Sequence, residues 1–365
     1  DKEIVLAAVQ QNGDALEHAN VSLKADKDIV LAAVQNNSHY LEDATDELKA
    51  DKEIILAAVQ SNGHALNHAS DELKADQDVV LEAVKHRVWA IKYASENIIV
   101  NREIAMILIE GSNYRDKYFS FNTFDPDLKM DKEIILAASK FGQAALGYAS
   151  DELKGDKAFM LTAIKNDIDN LACASDELKA DKEIILAAVK INHSSLEHAN
   201  EKLKADKKFV LTVVKIDGDA LEHANDSLKA DKEIVLAAVQ QNGDALEHAS
   251  DELKADKEIV LSAVKNHGNA LNYASDELKG DKEFILKEAL LNGSSLEYAS
   301  KQLKGDREIV MAAIKKNGCA LEFASDELKD DKEIVLLAMK QNSNSLSYAS
   351  LDLQIDPDVM HAVES

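Results

Sequence analysis

Cysteine is nearly absent, with two in 365 residues. That excludes a disulfide-stapled scaffold and any Cys-rich zinc module. Unbridged thiols fit a reducing compartment such as the cytoplasm. Proline occurs twice, tryptophan once, and aromatics make up only 5%. Basic residues are the minority charge: 42 Lys+Arg stand against 67 Asp+Glu, a formal −25. Each cation that might meet a phosphate is outnumbered by carboxylates, which argues against nucleic acid as a partner. No stretch approaches the roughly 18–20 apolar residues that span a bilayer, and no signal-peptide pattern opens the chain. The chain has no G-x-S-x-G, no P-loop lysine, no H-E-x-x-H and no Cys–His motif. No catalytic residue, cofactor, metal or small-molecule substrate is therefore expected. At 46% hydrophobic the chain is not disordered by composition.

What the chain does contain is one motif repeated. The first unit reads DKEIVLAAVQQNGDALEHANVSLKA, and DKDIVLAAVQ follows at once. Units start at 1, 26, 51, 76, 101, 131, 156, 181, 206, 231, 256, 281, 306 and 331. Thirteen have 25 residues, the one at 101 has 30, and a partial unit covers 356–365. A fixed period of 20–50 residues signals a repeat array, here residues 1–365, and overrides the two or three domains that length suggests.

Positions 1 to 25 within a unit have distinct tasks. Position 1 is Asp at every start except Asn101. Asp is a good N-cap, so positions 2 to 11 are predicted to form a helix of about three turns. Position 13 is Gly in seven units, usually after Asn. An Asn-Gly pair suits a left-handed residue closing that helix. Positions 3, 7 and 10 face water on a helical wheel, whereas 5, 6, 8 and 9 stay apolar and need cover. Leu at 16 and Ala at 19 make a short helical stripe. Ser or Asn at 20 caps one further turn, which Leu23 and its counterparts plug into the core. A rival reading runs one helix from position 20 into the next unit; Gly at position 25 and the Asp cap after it favour the break. No β-branched run of period 2 occurs.

The fold class is therefore all-α: an α-solenoid, a superhelical array of ~25-residue helix–turn–short-helix repeats with a concave face. The unit at 1 is typical rather than cap-like, so the array or another domain is expected to precede Asp1. The last residues, DPDVMHAVES, read as a cap or another cut, with Pro357 at the first helical position.

The unit D-K/R-E-I/V-V-L-A-A-V-K/Q-x-N-G-x-A-L-x-x-A-S-D-E-L-K resembles a short helical repeat known as domain of unknown function 4116. Long spellings such as KNHGNALNYASDELKGDKE recur in register. The likeness covers essentially the whole chain and is weakest from 85 to 130. It implies a repeat found in proteins of protists and of bacteria living inside them, including secreted effectors, often beside other domains. An effector of that kind would work in the host cytosol. The family brings no catalytic residues.

Five histidines share position 18: His18, His68, His198, His223 and His248. Stacked units about 10 Å apart cannot gather them around ions whose bonds are about 2.1 Å. A half-buried rim position is the reading they support. The acids at positions 1, 21 and 22 match no EF-hand loop and read as a solvated surface.

One region departs from the pattern: KHRVWAIKYASENIIVNREIAMILIEGSNYRDKYFSFNTFDPDLKM, from Lys85. It holds the only Trp, three of the four Arg and a five-residue insertion among Tyr and Phe residues. Units 76–130 carry 9 acids against 7 bases, so the negative field lapses there. One reading is a bend, where larger side chains fill a gap between regular stacks. The other is a site for a protein partner, with Arg87, Trp89, Arg115, Tyr118 and Phe121 as candidates, since Trp, Tyr and Arg dominate interface hot spots. The functional expectation is a non-enzymatic scaffold for protein–protein interaction. The alternative is a regulatory or targeting arm of an enzyme whose catalytic domain lies outside these residues.

Overall fold

The computed structural model describes residues 1–42, 44–111 and 124–364, and divides into two compact units, 1–178 and 179–365. Each is a helical repeat array.

The repeat at 231–255 shows why the sequence folds as it does. Asp231 Oδ1 accepts from the N–H groups of Glu233 and Ile234 at 3.0 and 3.3 Å, satisfying donors that the first helical turn leaves open. The helix Lys232–Gln241 follows. Asn242 then turns the chain into extended backbone (φ −139°), and its Oδ1 accepts from the Asp244 N–H at 3.0 Å. One asparagine thus ends the first helix and caps the next element, a 3₁₀ helix over Gly243–His248. A short helix, Asp251–Lys254, completes the unit. The break before the next Asp cap is real, so the long-helix alternative does not form.

Ile234, Val235, Ala238, Val239, Ala245, Leu246, Ala249 and Leu253 are buried. The buried helical positions are therefore 4, 5, 8 and 9. Position 6, expected in the core, is half-buried, as at Leu236. Covering the larger side chains contributes about 1.5–3 kcal/mol each before entropy is subtracted. The cover comes from neighbouring repeats, as a quasi-one-dimensional architecture requires.

The Asn-Gly pair does not close the helix in a left-handed conformation. Among the described residues only Gly142 has positive φ, at 66°. Glycine at position 13 serves close approach instead. A Cβ on Gly63, Gly218, Gly243 or Gly293 would lie 2.4 Å from the carbonyl oxygen at position 8 of the following unit. The glycine is fixed by its neighbour's backbone rather than by its own.

Two further ties join consecutive repeats. The backbone N–H at position 20 donates to the carbonyl at position 24 of the preceding unit, as in Ser70 to Lys49 (2.9 Å) and Ser250 to Lys229 (2.9 Å). The lysine at position 2 reaches acids at positions 1 and 3 of the following unit. Lys52 lies 2.9 and 2.8 Å from Asp76 and Asp78, and Lys232 lies 2.8 Å from both Asp256 and Glu258. Lysine at position 24 closes its own unit, as Lys49 donates to the Glu42 carbonyl at 2.8 Å.

Within 1–178 the pattern varies most. Residues 96–99 form no short helix. An isolated parallel bridge pairs Val100 with Phe124, and the Asp125 N–H donates to the Val100 carbonyl at 3.0 Å. These bonds hold together the two ends of the segment that carries the insertion. In the unit at 131 the first helix stops at Ala138, and Gly142 leads into a helical turn over Gln143–Leu146. Within 179–365 the units are regular, and Pro357 opens the last helix, Pro357–Glu364.

Candidate partner-binding surface

Position 12, the extended residue between the first helix and the 3₁₀ helix, is Asn in most repeats. In the unit at 76 it is Arg87 (φ −148°), which makes no capping bond through its side chain. Position 13 is Val88 rather than Gly, and position 14 is Trp89, 58% exposed. The small, self-capped Asn-Gly turn is thus replaced by a cation, a β-branched side chain and an indole.

Arg87, Val88 and Trp89 line a concavity of about 290 Å³. Arg87 also borders a second, of about 330 Å³, with Asn37, Asn62, Ser38, Ser61 and His86. The first is walled mainly by carbon and the second mainly by amides and hydroxyls. Arg87 stands between them, and its guanidinium has no ion-pair partner among the described residues. The neighbouring His86 lies 3.4 Å from Glu82, and Lys85 lies 3.0 Å from Glu103.

The edge continues through aromatic contacts. His64 packs edge-on against Tyr93, with ring centroids 5.6 Å apart. Lys92 Nζ lies 4.6 Å from the Tyr93 ring centroid, a cation–π distance. Burial, with the charges of Arg87 and Lys92 nearby, pushes the His64 imidazole below its usual range. In a chain of formal charge −25, this edge is locally positive.

Two expected residues, Arg87 and Trp89, therefore sit together on an exposed edge. Arg115, Tyr118 and Phe121 lie outside the described residues. Phe124, from the same aromatic cluster, is 6% exposed and belongs to the core.

The position-18 histidines occupy the rim, His18 exposed and the others half-buried. Burial lowers the pKa of His223, whose Nε2 is enclosed without a hydrogen-bond partner. Among the described residues, one group could approach a metal ion: His193, Asp217 and Asp219, with ligand atoms within 4.8 Å of one another. Sequence reasoning missed it because these residues sit at positions 12 to 14 of adjacent units. Each already has local work. His193 Nδ1 lies 3.2 Å from Asp217, Asp217 accepts from the Asp219 N–H at 3.0 Å, and Asp219 accepts from Asn242 Nδ2 at 2.7 Å. Similar bridges recur up the stack, as His267 Nδ1 to Asp244 at 2.7 Å. The group is part of a polar ladder along the 3₁₀ helices.

No described helix is long and apolar enough to cross a membrane. A family model described as a domain of unknown function (DUF4116) matches residues 1–49, 51–99, 131–179, 156–204, 206–254, 256–304 and 306–354. Each match spans about two repeats, and two of the matches overlap across 156–179. No curated protein is significantly similar to the chain.

Proposed function

Because the chain belongs to the DUF4116 family of helical repeats, whose name carries no activity, we propose from its geometry that it is a non-enzymatic scaffold binding a protein partner through the Arg87–Trp89 edge. One observation carries this reading: a largely exposed indole beside a guanidinium that has no ion-pair partner among the described residues, on the rim of two concavities. An exposed Trp costs solubility, and Trp and Arg are the residues on which interface energy concentrates. The complementary segment would place an apolar side chain against Trp89 and Val88 and a carboxylate against Arg87.

The chain's acidic groups support the non-enzymatic reading. The aspartates held below the usual carboxylate range, such as Asp256, Asp306 and Asp356, are helix caps that accept from a lysine of the preceding unit and from N–H groups of the helix they open. Their perturbation has a structural use. The half-buried thiols of Cys173 and Cys319 fit a reducing compartment.

Selection of a random peptide library on the full chain tests the reading. Acidic peptides with an apolar anchor should be enriched, and Trp89→Ala with Arg87→Ala should weaken them at least tenfold. Far-UV circular dichroism and melting should not change, because neither side chain is buried. Equal binding by the double variant would overturn the assignment.

A further inference from the structure

Position 8 is a buried Ala or Val in the neighbouring repeats: Ala188, Val213, Ala238, Ala263, Ala313 and Ala338 are each fully covered. In the unit at 281 it is Glu288. The residue is only 4% exposed, and its Oε1 is enclosed with no hydrogen-bond partner. A buried carboxyl oxygen without a donor is costly, and an alanine here would remove that cost.

The stacking at this repeat also departs from that of its neighbours. At Gly218, Gly243, Gly293 and Gly318 a Cβ would meet the next unit's position-8 carbonyl at 2.4–2.5 Å. At Gly268, which faces the unit holding Glu288, no such carbonyl approaches; the near atom is Asn292 Nδ2. The helices Lys257–Asn266 and Lys282–Leu291 lack the close packing seen between Lys232–Gln241 and Lys257–Asn266. Between them opens a cavity of about 200 Å³. Leu261, Val264 and Leu291 supply apolar wall, and Lys265, Lys287 and Asn292 supply donors. A single water needs roughly 10–15 Å³ by the same measure, so the space suits a small molecule. It is smaller than the roughly 300–1,000 Å³ of drug-sized sites.

We propose that this cavity binds a small zwitterion with an aliphatic body, an aliphatic α-amino acid, whose ammonium group donates to Glu288. The lining dictates the class. Glu288 is the one acid of the lining, so the ligand brings a donor. Two lysines line the same space, so a purely cationic ligand would meet like charge there. A purely anionic ligand would meet the carboxyl group. A ligand bearing both charges places carboxylate toward Lys265 and Lys287 and its hydrocarbon against the leucines and valine. The site is separate from the Arg87–Trp89 edge and does not depend on it.

Isothermal titration of the full chain with L-leucine is the test, with 4-methylpentanoate and 3-methylbutan-1-amine as single-charge controls. Leucine should bind at one site, and both controls at least tenfold more weakly. Glu288→Gln keeps the space but removes the charge, and should weaken leucine at least tenfold. Glu288→Ala restores the usual residue of the repeat; it should melt no lower than the parent and lose binding. Absence of leucine binding, a control that binds equally well, or unchanged binding to Glu288→Ala would each overturn the proposal.

Discussion

Asn101 Nδ2 donates to Gln77 Oε1 at 2.9 Å, where other repeats place a lysine–aspartate ion pair. Asn101 is the one non-Asp start of a repeat, and Gln77 is the one position-2 residue of a full repeat that is neither Lys nor Arg. The two exceptions face each other. An ion pair has been exchanged for an amide pair, keeping the bridge and removing both charges.

A double-mutant cycle should reveal that coupling. Gln77→Lys or Asn101→Asp alone should be neutral or cost up to about 1 kcal/mol, because each leaves a charge facing an amide. The double variant should recover the loss, giving a coupling energy of roughly 0.5 kcal/mol or more by urea denaturation. Strict additivity would mean that the bridge carries no energy.

Stability should fall in acid through the capping aspartates. Hydrogen bonds from Lys232 hold Asp256 below the usual carboxylate range, and hydrogen bonds from Lys282 do the same for Asp306. A carboxylate whose folded pKa is depressed stabilises the fold above its unfolded pKa, about 3.9, and loses that contribution as pH drops through the folded value. Melting temperature should therefore hold from pH 7 to about 5 and decline below about 4. Asp256→Ala should cost about 0.5–2 kcal/mol at pH 7 and less at pH 3, since protonation has by then weakened the same bonds. A cost independent of pH would contradict this account.

The glycines should divide by what lies over them. Gly243→Ala puts a methyl group 2.4 Å from the Ala263 carbonyl oxygen and should cost about 1–3 kcal/mol as the stack is forced apart. At Gly155 the nearest atom to an added Cβ is Ser175 Oγ at 3.9 Å, with φ in the ordinary range. Gly155→Ala should be neutral or stabilise by about 0.4–1 kcal/mol. Equal destabilisation by both would show that backbone freedom, rather than close approach, selects glycine at position 13.

These contrasts mark what could be read from residues alone. The helix from position 2 to 11, its Asp cap and the short turn after position 20 were legible because caps act within four residues of themselves. The glycine at position 13 was misassigned because its constraint is a carbonyl about 20 residues further on, at position 8 of the next unit. The acid at position 1 read as a cap on a solvated surface and position 3 as facing water, since nothing local shows that a lysine 24 or 26 residues earlier reaches them. At the candidate edge, loss of the Asn-Gly turn at Arg87–Val88 was visible as an irregularity, and exposure of Trp89 follows from it. Glu288 escaped notice because one acid in a column of alanines is a small signal until the column is seen to be buried.

The lysine-to-acid ladder has a direction. In every repeat that carries it, the cation reaches forward to the next unit's caps, and the position-20 N–H reaches back to the previous unit's carbonyl. Each repeat therefore has a cationic forward face and an anionic backward face that are not interchangeable. Two forward faces cannot be stacked without opposing lysine to lysine, and two backward faces would oppose aspartate to aspartate. Growth by duplicating a whole 25-residue unit preserves every seam, because the copy carries both faces. A partial insertion is tolerated where it leaves both faces intact: across the five extra residues of the unit at 101, Arg102 still reaches Asp131 at 2.9 Å, and the Ser150 N–H still reaches the Lys129 carbonyl at 3.0 Å. Such a chain lengthens in one sense only, as a threaded rod takes nuts of one hand.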